Sequence, residues 1–157
     1  MTVDELTRLL EQYRAGIDAE LTLLHQLAEI SRQQRHVTQV ADFVAFRNVA
    51  DSRDGIMRSL VTIEEELRSV RQTLMEHREI ASQIAGYEEV ERRHREAAHL
   101  VALILATDQQ SMAALANAEL ARRSAVAGLE RGETTLAAYR RVLSPPVASA
   151  KLVDKLG

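Results

Sequence analysis

The stretch VADSRDGIMRSLVTIEEELRSVRQTL, residues 49–74, decides the fold class. A seam runs through it at Val49, Ile56, Leu60, Ile63, Leu67, Val70 and Leu74, with Arg53 in the one polar slot. Steps of three and four place all eight on one stripe of a helix. The phase holds across Gly55. A chain break there would shift it, so the spacing predicts one continuous helix, with Gly55 a soft point costing roughly 1 kcal/mol relative to alanine. Upstream, Val40, Phe43 and Phe46 read as off this phase, which suggests a stutter or a short separate helix. Thr38 is a plausible N-cap, so the second helical segment is expected over about 38–78.

The segment before it, about residues 3–34, repeats the pattern. Its seam is Val3, Leu6, Leu10, Tyr13, Ile17, Glu20, Leu24, Leu27 and Ser31. The two polar members have apolar neighbours, Leu21 and Ile30. After a weak connection at residues 81–86, a third segment is expected over about 87–131. Its seam is Val90, His94, Ala97, Val101, Ile104, Asp108, Ser111, Leu115, Ala118, Arg122, Ala125 and Leu129. It is thinner and richer in alanine. Gly132 is expected to cap this helix, and residues 133–143 to resume as a short helical segment. Ser144-Pro145-Pro146 then stops it.

No strand-like alternation bounded by turn signals occurs. Short connections between long helices imply antiparallel neighbours. The expectation is all-α: an elongated antiparallel bundle of three long helices plus a short C-terminal helical segment, with coiled-coil-like packing. The bundle domain would span 1–143. Residues 144–157 would form a Pro-terminated tail, flexible or folded as a short docking helix.

The chain of 157 residues suits one domain. Its apolar share is 46% and its charged share 27%, which is globular rather than disordered. It has no cysteine, which excludes disulfides, thiolate metal sites and a cysteine nucleophile. The formal net charge of −3 gives no global case for nucleic acid or an acidic membrane. The start has neither a basic nor an apolar leader region, and no apolar run reaches the roughly 20 residues of a spanning helix. A cytoplasmic protein without membrane insertion is the expectation.

Chemistry finds little purchase. Glu91-Arg-Arg-His94 and Glu96-Ala-Ala-His99 both match the Glu-x-x-His unit of di-iron bundles. Both copies sit on one helix, five residues apart, so they point about 140° away from each other. Arg92, Arg93 and Arg95 also repel a cation, and acidic neighbours cancel them as a nucleic-acid patch. No phosphate loop and no nucleophile elbow is present. The reading is not an enzyme, with no metal and no cofactor.

The amphipathic surface says more. Asp108, Ser111 and Arg122 interrupt an alanine-rich stripe. They read either as polar groups at the edge of a core or as the flanks of a shallow groove for a foreign amphipathic helix. Leu115, Ala118, Val126 and Leu129 would line such a groove.

The organisation resembles the flagellar type III export chaperones of the FlgN and FliT kind. Leu6-x-x-Leu9-Leu10-x-x-Tyr13 followed by Glu20-x-x-Leu23-Leu24-x-x-Leu27 resembles the family's first helix. Phe46-Arg47 through Arg58-Ser-Leu60-x-x-Ile63-Glu64 resembles its second. Ile104-x-x-x-Asp108, then Leu115, Arg122, Leu129, Gly132 and Ala138-Tyr139-Arg140, resembles the long helix and C-terminal segment. The Tyr-Gly ending common in the FlgN branch is absent, since Arg140 follows Tyr139.

The resemblance implies a cytoplasmic chaperone for late export substrates, the hook–filament junction or filament cap proteins. It also implies contact with export-gate components. It places the client surface on Leu115, Ala118, Arg122, Val126, Leu129, Leu136 and Tyr139. Leu152, Val153 and Leu156 in the tail would cover that surface. The alternative is a structural coiled-coil module whose apolar stripe closes on a second copy as a homodimer. A carboxylate–histidine metal bundle is the third reading.

Overall fold

A computed structural model describes residues 1–143. The tail residues Leu152, Val153 and Leu156 lie outside the described residues. The chain is all-α, with long helices packed against one another and no strand among the described residues. The helices are α1 (Val3–Gln39), α2 (Phe43–Glu76), α3 (Arg78–Ala81) and α4 (Tyr87–Leu143). None among the described residues is long and apolar enough to cross a membrane. The chain falls into two compact units, Met1–Ala114 and Leu115 onward, and α4 contributes to both.

In Met1–Ala114 the chain runs up, down and up. Tyr13 of α1 meets Arg71 of α2, and Ser31 meets Arg53, so these two helices are antiparallel. Tyr13 also meets His94 of α4, and Arg35 meets Gln110, so α1 and α4 run the same way. The core has two parts. Leu6, Leu10 and Tyr13 pack with Leu67, Val70, Leu74, Ala81 and Val90. Ile17, Leu21, Leu24, Leu27 and Ala28 pack with Ala97, Leu100 and Ile104.

The periodicity of the first segment is realised almost throughout. Leu6 to Ser31 on the expected seam are all buried, including the polar Glu20 and Ser31. Val3 is exposed, because it opens the helix. Thr2 caps it: the Glu5 amide donates to the Thr2 hydroxyl (3.2 Å), and the Thr2 amide donates to the Glu5 carboxylate (2.7 Å). The predicted second segment begins too early. Thr38 does not cap it. Thr38 is buried in the last turn of α1, where its hydroxyl donates to the Gln34 carbonyl (2.7 Å). The reversal falls at residues 40–42, with Ala41 left-handed at φ 56°. Asp42 is the true N-cap, accepting from the Ala45 amide at 3.0 Å. Val40 therefore belongs to the turn. Phe46 is half-buried three residues before Val49 and carries the seam on, while Phe43 is exposed.

α2 runs unbroken through Gly55, as the phase required. The connection at residues 82–86 follows the single-turn α3 and ends at Gly86, whose φ of 92° favours glycine. At Gly132 the structure differs from expectation. The helix does not stop there, and residues 133–143 are not a separate segment but the end of α4. A glycine in a helix interior costs only about 1 kcal/mol, and here no left-handed cap or proline follows it to end the helix.

Candidate functional site

Two surfaces present themselves, one in each unit. The first is a furrow in Met1–Ala114 between α2 and α4, floored by α1. Its cavity of about 550 Å³ is lined by Ile17, Glu20 and Leu24 from α1, Leu60, Val61 and Glu64 from α2, and Ala97, Ala98 and Val101 from α4, among others. A second recess of about 440 Å³ continues it past Arg71 and His94 toward Leu74, Tyr87 and Val90. Small side chains on α4 leave the space. Ala97 and Ala98 face a helix that carries Leu60 and Val61, and alanine is too short to fill the gap.

A chain of polar groups crosses the furrow floor. His94 Nδ1 shares a hydrogen bond with the Tyr13 hydroxyl (3.0 Å). Arg71 donates through Nε to that hydroxyl (3.2 Å) and lies over the Tyr13 ring, 5.6 Å from its centroid. The Arg71 fork then grips both oxygens of Glu64, one at 2.9 Å. Beyond Glu64 lies Glu20, only 8% exposed. Burial, then a hydrogen bond to Glu64, pushes the Glu20 carboxyl up to about 7. The same proton and the Arg71 guanidinium hold Glu64 down to about 2, with Arg71 the larger cause. The pair therefore shares one proton near neutral pH, with Glu20 as its carrier.

A second polar group joins the three helices. Arg53 forks onto Asp108 of α4, with Nη1 at 2.8 Å from Oδ1, and Nη1 also donates to Ser31 (2.9 Å) and Gln34 (3.2 Å) of α1. Asp108 is thus a core-edge partner of Arg53, not the flank of an open groove. Ser111, one turn on, is buried, and its hydroxyl has no partner among the described residues.

The second surface lies in the unit that begins at Leu115. All the residues expected to hold a client lie here, on α4. Leu115 is half-buried; Ala118, Arg122, Val126, Leu129, Leu136 and Tyr139 are exposed. Leu129 is 74% exposed and Leu136 68%. Steps of three and four put all of them except Val126 on one stripe, and Val126 borders it. Among the described residues one helix supplies the whole surface from Leu115 to Val142, so these residues form a convex stripe rather than the floor and walls of a groove. Arg122 pairs with Glu119 (2.9 and 2.8 Å) and Arg123 joins them (3.1 Å), all on the helix surface.

Three of the four residues of the paired Glu-x-x-His motifs make other contacts, and His99 is exposed. His94 bonds Tyr13, Glu91 faces Arg78 at 3.8 Å, and Glu96 pairs with His25 at 3.3 Å. Among the described residues, no three histidine or carboxylate groups gather where a metal would need them. The furrow was not foreseen from the sequence. Its only signals were Glu20 inside an apolar seam and the Ala97-Ala98 pair, and neither tells which helix faces stand apart. Compared with family models, curated proteins and solved structures, the chain matches none.

Proposed function

We propose that this protein is a cytoplasmic export chaperone that binds amphipathic helical segments of late flagellar export substrates and keeps them unaggregated before secretion. The observation that carries this reading is the stripe from Leu115 to Tyr139. A helix alone cannot bury its own apolar face, and Leu129, Leu136 and Tyr139 stand more than half exposed. Such a face suits a helix of a client, whose apolar side chains would be withdrawn from water at roughly 25 cal/mol per Å². Ordering the client opposes this gain and keeps the complex weak enough to release.

The test is light scattering after size exclusion, with the protein mixed with C-terminal helical segments of junction and cap proteins from the same organism. A stable complex with one segment is expected, lost in Leu129→Asp and Leu136→Asp. Absence of a complex with every segment overturns the reading.

A further inference from the structure

The client stripe has a pattern finer than apolarity. With Leu115 as the first position of a heptad, the same position recurs at Arg122, Leu129 and Leu136. The fourth position recurs at Ala118, Ala125, Gly132 and Tyr139. Large residues occupy one row and small ones the other, until Tyr139. Two parallel copies in register would match this badly. Arg122 would meet Arg122, and Gly132 would meet Gly132 across a void.

An antiparallel pair matches well. The register that sets Leu129 against Gly132 of a second copy also sets Leu136 against its Ala125 and Arg122 against its Tyr139. Each leucine then fills the space over a small residue. Among the described residues Gly132 has nothing within 4 Å of where a Cβ would stand. Each Arg122 guanidinium lies within reach of a tyrosine ring. The flanking positions agree: Glu119 comes beside Arg140 of the second copy, on both sides of the two-fold axis. Opposite sizes favour the antiparallel arrangement, and the charges select the register: slid by one heptad, Leu129 would still cover a small residue, Ala125, but Glu119 would come beside Glu133 instead of Arg140.

We infer that α4 from Ala118 to Arg140 pairs antiparallel with the same stretch of a second copy, in the register Leu129–Gly132. The pairing goes beyond the client reading, since it names what covers the stripe when no client is present. A client would have to displace the second copy. The pairing stands or falls on the protein alone, without any client.

Light scattering of the full chain over a concentration series reads the mass. A dimer at twice the chain mass is expected, and a monomer at every concentration overturns the inference. The tail covering the same stripe would give that monomer. The register is read by disulfide trapping, because the chain has no cysteine of its own. Ala125→Cys mixed with Leu136→Cys should cross-link as a heteropair far faster than either variant alone; rapid homotypic cross-linking of Ala125→Cys alone overturns the antiparallel register. Glu119→Arg and Arg140→Glu should each weaken the dimer about tenfold, and together restore it. Helicity by circular dichroism controls for folding, and failure of the double variant to recover counts against the register.

Discussion

Glu20 occupies a seam position that a leucine would fill more cheaply, and its burial turns a surface carboxyl into a proton carrier. Its folded-state affinity for the proton is raised, to about 7 from an unfolded value near 4.5. A raised acid contributes stability that is present below the unfolded value and lost as pH climbs through the folded one. Glu64 behaves oppositely, and its contribution is lost only as pH falls from about 4.5 toward about 2. The protein should therefore lose about 1–2 kcal/mol as pH rises from about 5 to 7.5. Urea denaturation across that window checks it. Glu20→Gln, which keeps a donor toward Glu64, should flatten the slope; an unchanged slope in the variant would sink the assignment. In α1 the sequence period placed Glu20 and Ser31 correctly, because helical phase determines which face a residue occupies whatever its chemistry. What the period could not supply was the partner. That Glu20 meets Glu64, and Glu64 meets Arg71, depends on which faces of α1 and α2 come together.

Glycines in two helices carry opposite lessons. A Cβ on Gly16 of α1 would stand 2.5 Å from both terminal carbons of Leu67, itself buried in the core. A Cβ on Gly55 of α2 would meet nothing within 4 Å among the described residues. The same substitution therefore has opposite signs. Gly55→Ala should add up to about 1 kcal/mol through helix propensity alone. Gly16→Ala gains that propensity but overpacks a closed site, at a cost of about 1–3 kcal/mol, and should lower stability on balance. Thermal melts of both variants decide it, and two shifts of the same sign would refute the contrast. The ends of these helices were less legible than their middles. Thr38 has the chemistry of an N-cap, yet Ala41 makes the turn. An alanine in the left-handed region leaves no signature in the sequence, where a glycine would have. Gly132 misled in the other direction, since a glycine resembles a cap but ends a helix only when the following chain turns away.

Across Met1–Ala114 one side chain holds three helices to a common register. Arg53 of α2 reaches Asp108 on α4 and both Ser31 and Gln34 on α1, with about a fifth of the Arg53 and Asp108 side chains exposed. Removing one partner leaves a half-buried charge uncompensated. Asp108→Ala should cost about 2–3 kcal/mol, while the double change Arg53→Met with Asp108→Leu should cost distinctly less. Chemical denaturation of the single and double variants reads the difference, and equal losses would mean that the pair contributes no more than packing. At this scale the fold class was legible, because three long seams admit few arrangements. The furrow was not, since a gap between α2 and α4 is a property of two faces that fail to meet, and no single seam records a failure.

The central position of α1 has a consequence in time. Its side-chain hydrogen bonds with α2 begin at a separation of 19 residues, from Gln34 to Arg53, across a tight turn. Its contacts with α4 span 71 to 81 residues, from His25–Glu96 to Tyr13–His94. The entropy lost in closing a loop grows with its length, so the α1–α2 hairpin closes against a smaller barrier than the later docking of α4. During synthesis every residue of that hairpin is added before residue 87, the first of α4. Loop closure and the order of synthesis thus point the same way: α4, the helix that carries the exposed stripe, is expected to be the last to find its place.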